Sequence, residues 1–135
     1  MGRMRSPPVV LVVEDNAELR NVLKEALGAE GYNVLTTRDA DEGLEILRGT
    51  HVDLFVSDLT DPKDAKEALQ SVRREFPQVP VVALAEGAGH HPAFFFGGWE
   101  NPHGYLTLPK PFRLGELLAL CRAALGPTAG ARQSP

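Results

Sequence analysis

Four charged residues in the sequence stand directly behind short apolar runs that have the composition of buried strands. Glu14 and Asp15 follow the run Val9–Val13, and Asp58 and Lys110 follow two further runs of this kind. Three carboxylates held close together repel one another unless a cation or a shifted pKa relieves them. Mg²⁺ is such a cation, because it prefers oxygen ligands and suits a shallow site where water fills the remaining positions.

Each of these residues, taken alone, also has an ordinary structural explanation. An aspartate after a strand often caps the next helix, and this explanation covers Glu14, Asp15 and Asp58. Lys110 on its own is explained as a solvated surface lysine. A chemical role therefore depends on whether the fold brings the four side chains together.

Apolar patterning predicts strands that alternate with amphipathic helices. The continuous β-branched run VVLVV is typical of a strand that is covered on both faces. The predicted strands are Val9–Val13, Val34–Thr37, Val52–Ser57, Val81–Ala85 and Tyr105–Leu108. Such alternation indicates repeated βα units, a parallel sheet and right-handed crossovers, which together predict a doubly wound three-layer sandwich of the α/β class.

The predicted helices carry apolar stripes and have recognisable starts. Asn16 is a candidate cap for the first helix, and Asp39 or Asp41 for the second. The first stripe consists of Leu19, Val22, Leu23, Ala26 and Leu27, and the last consists of Leu114, Leu117, Leu118, Cys121 and Leu125. In a sheet of this kind all strands end at one edge, where ligands bind. If the first and third strands are neighbours, Glu14, Asp15, Asp58 and Lys110 share one pocket.

Length and composition indicate one globular domain. Of the 135 residues, 43% are hydrophobic and 24% are charged. We predict a flexible N-terminus at 1–8, a folded domain at 9–125 and a disordered tail at 126–135. The net charge of -4 and the lack of a Lys or Arg run argue against a nucleic-acid partner. No apolar run approaches the ~20 residues of a membrane span, and no signal sequence is evident, so we expect a cytoplasmic location.

In their order and spacing, the motifs resemble the receiver domain of bacterial two-component response regulators. The similarity extends from Val9 to about Leu125 and rests on four stretches of sequence. These are VVLVVEDNAELR, LFVSDLTDP, PVVALA and LPKPF. The resemblance implies a flavodoxin-like, five-stranded parallel sheet with the strand order 2-1-3-4-5.

The resemblance also implies a role for each charged residue. Asp58 would accept a phosphoryl group from a sensor histidine kinase or a phosphotransfer protein. Mg²⁺ would be held by Glu14, Asp15, Asp58 and the backbone carbonyl of Thr60, and Lys110 would pair with the phosphoryl oxygens. The Lys110–Pro111 peptide would be cis. The domain would not be an enzyme beyond its own phosphotransfer and dephosphorylation.

The sequence departs from the family at the positions that usually relay phosphorylation. Ala85 stands where the family has Thr or Ser, and Glu86 follows where a small residue is usual. Thr107 replaces the switch aromatic, and Tyr105 lies two residues earlier on the same face. We expect Asp58 to remain a phosphoacceptor, while the usual coupling cannot run through Ala85 and Thr107. The alternative is a pseudo-receiver, which acts as a phosphorylation-independent protein-interaction module.

The segment His90–Pro102 replaces the expected helix between the fourth and fifth strands, so that this helix is short or irregular. Its three phenylalanines and Trp99 either fold over one another in a loop or form an apolar patch for a downstream protein. The face formed by the last strand and helix is a second candidate surface for such a partner. A metal site made by Glu86 and the histidines has unfavourable spacing, since His90 and His91 are adjacent and point apart, with His103 distant.

A third function class is a hydrolase or transferase of small phosphoesters. Such a protein needs a second acid two residues after Asp58, and that position is Thr60. No segment that resembles a DNA-binding domain follows position 125. The sequence therefore predicts either a stand-alone regulator or part of a larger regulator or kinase.

Overall fold

The central β-sheet contains five parallel strands in the order β2-β1-β3-β4-β5. The computed structural model describes residues 6–58, 62–85 and 105–131, except for the side chains at 62–66, 85, 105, 107 and 126–131. The strands are β1 (Val9–Val13), β2 (Asn33–Thr37), β3 (Leu54–Asp58), β4 (Val81–Ala85) and β5 (Tyr105–Pro109). The helices in this part of the chain are α1 (Ala17–Ala29), α2 (Ala40–Gly49), α3 (Pro62–Glu75) and α4 (Leu114–Ala131).

Helices cover both faces of the sheet, which confirms the predicted doubly wound, flavodoxin-like sandwich. On one face, α2 and α3 pack their leucines against alternate residues of the strands, such as Leu11, Val13 and Phe55. On the other face, α1 and α4 pack against the residues in between, such as Val10 and Val12. The continuous apolar runs follow from this arrangement, because every side chain of a central strand meets a helix.

Side chains and glycine define the ends of the first two helices. The Asn16 side chain accepts a hydrogen bond from the Leu19 amide at 2.9 Å and so caps α1 as predicted. Asp39, rather than Asp41, caps α2, since its carboxylate accepts from the Glu42 amide at 2.8 Å. After α1 the chain reverses at Gly31, whose φ of 97° is readily adopted only by glycine.

Two residues of the predicted helical stripes are exposed, and these assignments were wrong. Val22 is 44% exposed and Leu114 is 39% exposed. Val22 lies at the edge of the α1 stripe, whose centre is formed by the fully buried Leu23 and Leu27. Leu114 begins α4, one turn before the first fully buried residue of that helix, Leu117. Apolar spacing marks a broad stripe, but only its centre reaches the sheet.

Several element bounds also differ from the sequence-based ones. β3 begins at Leu54 rather than Val52, although Val52 is buried without strand pairing. α4 continues to Ala131, into the segment 126–135 that its small and polar composition predicts to be disordered. No helix in the described residues is both long enough and apolar enough to cross a membrane.

Several predictions concern positions outside the described residues. These are the interaction patch at His90–Pro102, the histidine cluster with His103, and the roles of Thr60 and Glu86.

Candidate functional site

The strand register places the predicted acidic residues side by side at the carboxyl edge of the sheet. β1 pairs with β3 so that Val13 lies opposite Ser57. The next residue of each strand is an acid, Glu14 after β1 and Asp58 at the end of β3. Neighbouring strands lie less than 5 Å apart, so adjacent side chains on one edge can share a ligand.

The three carboxylates converge on one point. Glu14, Asp15 and Asp58 each offer one carboxylate oxygen, and these oxygens lie within 4.8 Å of one another. Their exposure differs, because Glu14 is 1% exposed and Asp58 has a side chain that is 5% exposed, while Asp15 is open to solvent. The cluster is therefore a recess that has one acid at its rim.

Lys110 reaches this recess from the end of β5, the strand at one edge of the sheet. It follows β5, which is separated from β3 by β4. Its Nζ lies 2.9 Å from Oδ1 of Asp58 and 3.4 Å from Oε1 of Glu14. The Lys110–Pro111 peptide is cis, as the resemblance to receiver domains implied. One ammonium group therefore faces two buried carboxylates.

Glu14 is held by contacts on both its backbone and its side chain. Its amide donates to the Thr37 carbonyl of β2 at 3.0 Å, and its carbonyl accepts from Nη1 of Arg20 at 2.9 Å. Its Oε2 accepts from the amide of Asn16 at 3.1 Å. Sequence reasoning treated Asn16 only as a helix cap and did not single out Arg20. The available signal was the position of Arg20 in the motif EDNAELR, one turn after the cap of α1.

Within the recess, the pKa values of Glu14 and Lys110 are both raised. Burial, and next the negative charge of Asp58, raise the pKa of Glu14 above its usual value, although Asn16 and Lys110 partly offset them. Burial alone would lower the pKa of Lys110, but the hydrogen bond to Asp58 and its charge outweigh this, so the pKa of Lys110 is raised. Lys110 thus remains protonated beside the carboxylates of Asp58 and Glu14.

The donor set fits a hard divalent cation. Carboxylate oxygens are the ligands that Mg²⁺ prefers, and the open side at Asp15 leaves room for water ligands. Besides burial, repulsion by Asp58 raises the pKa of Glu14, and a bound cation would relieve that repulsion. The residues present are therefore suitable for magnesium.

The backbone positions of the altered relay residues are defined in the sheet. Ala85 is the last residue of β4 and lies opposite Pro109, the residue before Lys110. On β5, Tyr105 lies opposite Val81 and Thr107 opposite Ala83. The side chains of Ala85, Tyr105 and Thr107 lie outside the described part of the structure. The substitutions thus stand on β4 and β5, where β4 is the neighbour of β3 and β5 is the edge strand.

The fold and the site together define a class of small α/β domains with an acidic recess at the carboxyl edge of a parallel sheet. A sequence model of the response regulator receiver domain matches residues 10–122, which is most of the chain. The chain belongs to this family, and it is a receiver domain of two-component signal transduction. The family match does not favour the alternative of a phosphorylation-independent interaction module.

Known relatives place the chain among bacterial regulators. It is 35% identical over 118 residues to the transcriptional regulatory protein CpxR of Escherichia coli K12. This alignment covers 86% of this chain and 48% of CpxR. It is 31% identical over 122 residues to the response regulator MprA of Mycobacterium sp. strain KMS. This second alignment covers 88% of this chain and 51% of MprA. The chain spans about half the length of the curated relatives it matches.

A solved structure with the same architecture supports the fold. The signal receiver domain of an HD domain-containing protein from Pseudomonas fluorescens Pf-5 aligns with a TM-score of 0.78 at 24% identity. The alignment covers 100% of this chain and 98% of the other. At this level of identity the similarity concerns the fold alone.

Proposed function

We propose that Asp58 accepts a phosphoryl group from the phosphohistidine of a sensor kinase or a phosphotransfer protein. Glu14, Asp15, Asp58 and the backbone carbonyl of Thr60 would hold the Mg²⁺ that this reaction uses. One observation carries the proposal. Three carboxylate oxygens lie within 4.8 Å of one another, and Nζ of Lys110 lies 2.9 Å from the acceptor carboxylate.

In the proposed reaction a carboxylate oxygen of Asp58 attacks the phosphorus atom of phosphohistidine. The new P–O bond forms as the P–N bond breaks, and the imidazole nitrogen keeps the electron pair and takes up a proton. The ammonium group of Lys110 is placed to pair with a phosphoryl oxygen, because it already contacts Asp58. When bound, the cation would neutralise negative charge on the phosphoryl oxygens.

Burial of the acceptor suits both transfer and storage of the phosphoryl group. With a side chain that is 5% exposed, Asp58 lies in a recess where charge interactions are stronger than in water. Limited access of water also slows hydrolysis of the acyl phosphate. The exposed Asp15 at the rim gives the open side through which the donor would approach.

We further propose that the signal leaves the domain through protein contacts that do not use the usual relay. The support is the sequence itself, since Ala85 lacks a hydroxyl group and Thr107 lacks an aromatic ring. Candidate surfaces are the segment His90–Pro102 and the face of β5 and α4. Within this proposal the domain works in the cytoplasm and catalyses only its own phosphorylation and dephosphorylation.

Direct phosphorylation tests the acceptor assignment. The protein is incubated with Mg²⁺ and a small phosphoramidate or acyl phosphate, and intact mass spectrometry detects one added phosphoryl group that hydroxylamine removes. We expect modification of the wild-type protein and of Asp41→Asn, a control that alters an exposed acid of α2. Asp58→Asn should remain unmodified. Modification of Asp58→Asn to the wild-type extent would refute the proposal.

A further inference from the structure

We infer that Arg20 is a positioning residue that sets the direction of the Asp15 carboxylate. Its Nη1 donates a hydrogen bond to the carbonyl oxygen of Glu14 at 2.9 Å. That oxygen and the amide of Asp15 belong to the same planar peptide unit. A hydrogen bond that fixes the orientation of this unit also fixes the N–Cα bond of Asp15, and so it restricts the directions in which the Asp15 side chain can project.

Asp15 depends on this contact more than its neighbours do. Glu14 has further support, because Asn16 and Lys110 bind its side chain and Thr37 binds its amide. The side chain of Asp15 is exposed, and among the described residues it accepts no hydrogen bond. The Glu14–Asp15 peptide is therefore the main element that directs the third acid toward the recess.

Arg20 itself is held in place by the start of α1. Its backbone amide donates to the carbonyl of Asn16 at 2.8 Å, in the first turn of the helix. Asn16 caps this turn and also binds the side chain of Glu14. The first turn of α1 thus supports the acidic loop through two residues, of which only Arg20 fixes the peptide that precedes Asp15.

Two roles for Arg20 predict opposite effects on cation binding. A guanidinium group near the recess repels a divalent cation, so its charge alone weakens binding, and its removal would tighten binding. A positioning role predicts the reverse, because loss of a residue that orients a metal ligand lowers affinity by on the order of tenfold or more. The sign of the change therefore separates positioning from charge.

The inference rests on the proposed function for its metal-binding part, and calorimetric titration with Mg²⁺ tests that part. We expect Arg20→Met to lower the affinity by on the order of tenfold. Arg20→Lys keeps a charged donor on a long stem and should recover most of the loss. Arg122→Met is the matched control, since Arg122 is an exposed arginine that pairs with Glu30 at 2.8 Å. Unchanged or tighter binding by Arg20→Met would overturn the inference.

A metal-free measurement separates this inference from the proposed function. In amide NMR spectra recorded with a chelator, Arg20→Met should broaden or split the Asp15 signal, whereas Arg122→Met should not. If the wild-type protein binds no Mg²⁺ while Asp15 loosens in Arg20→Met, the proposed function fails and the positioning role stands. An Asp15 signal that is the same in the wild-type protein and Arg20→Met would overturn the positioning role.

Discussion

At the scale of single residues, the three acids of the site differ in burial and in hydrogen bonding. Glu14 is buried and held by several hydrogen bonds, Asp58 is paired with Lys110, and Asp15 faces solvent. Burial and, next, the negative charge of Asp58 raise the pKa of Glu14, and Lys110 offsets these effects only in part. The negative charge of the three acids, which Lys110 neutralises only in part, should therefore attract a further cation.

Replacing Lys110 should separate cation binding from phosphoryl transfer. In Lys110→Met we expect Mg²⁺ to bind more tightly, on the order of tenfold, because the ammonium group and a divalent cation in the same recess repel each other. Phosphorylation of Asp58 should fall, since no ammonium group remains to pair with the phosphoryl oxygens. Calorimetry and mass spectrometry measure the two effects. Lys24→Met, at an exposed lysine of α1, should change neither.

The pKa of Glu14 predicts how stability depends on pH in the metal-free protein. Since folding raises this pKa, the folded state favours the protonated carboxyl group. This contribution is fully present below the ordinary value of 4.5 and is lost as the pH rises through the raised pKa. Urea unfolding with a chelator, between about pH 4 and 8, should show the wild-type protein losing stability relative to Glu14→Gln. A difference that is independent of pH would contradict this prediction.

At the scale of elements, close packing of α2 on the sheet depends on one glycine. A methyl group added at Gly43 would lie 2.9 Å from Cγ2 of Val13 and 3.4 Å from Cε1 of Phe55. Val13 is the last residue of β1 and directly precedes Glu14. The distance between α2 and β1 is therefore linked to the backbone that carries the acidic pair.

Gly43→Ala should destabilise the domain by about 1–3 kcal/mol, the usual cost of overpacking a core. Gly28→Ala is the matched control, because a methyl group at this helical glycine meets nothing within 4 Å. It should instead stabilise the protein by about 0.5–1 kcal/mol through the better helix propensity of alanine. Urea unfolding measures both changes. Equal effects of the two substitutions would show that the contact with Val13 is unimportant.

At the scale of the whole molecule, the site ties together distant parts of the chain. Lys110 and Glu14 are 96 residues apart in sequence, and they meet at the edge of a sheet in which β3 and β4 lie between β1 and β5. A ligand bound there contacts several strands that come together only in the folded state. Its binding energy should therefore contribute to the stability of the entire domain.

Magnesium should accordingly stabilise the folded protein. At a concentration of about 100 times Kd, the expected gain is about 2.7 kcal/mol. Thermal or urea unfolding with MgCl₂, compared with NaCl at equal ionic strength, measures it. Asp15→Asn should lose most of the gain, whereas Asp41→Asn should keep it. A gain of the same size in Asp15→Asn would place the cation elsewhere.

Much of the architecture was predictable because local patterns determine local structure. Apolar patterning predicted all five strands, and Asn16 and the candidate pair Asp39 or Asp41 marked helix starts. The exposed Val22 and Leu114 were missed, because apolar spacing does not show how far a helix reaches over the sheet.

The sequence by itself determined the order of elements, the family and the acids that stand behind the strands, since each depends on residues close together in the chain. Only the tertiary structure decided that Glu14 is buried while Asp15 is exposed, that Lys110 reaches Asp58, and that Arg20 binds the carbonyl of Glu14. These features depend on how helices and strands pack across the sheet, and packing involves contacts between segments far apart in sequence.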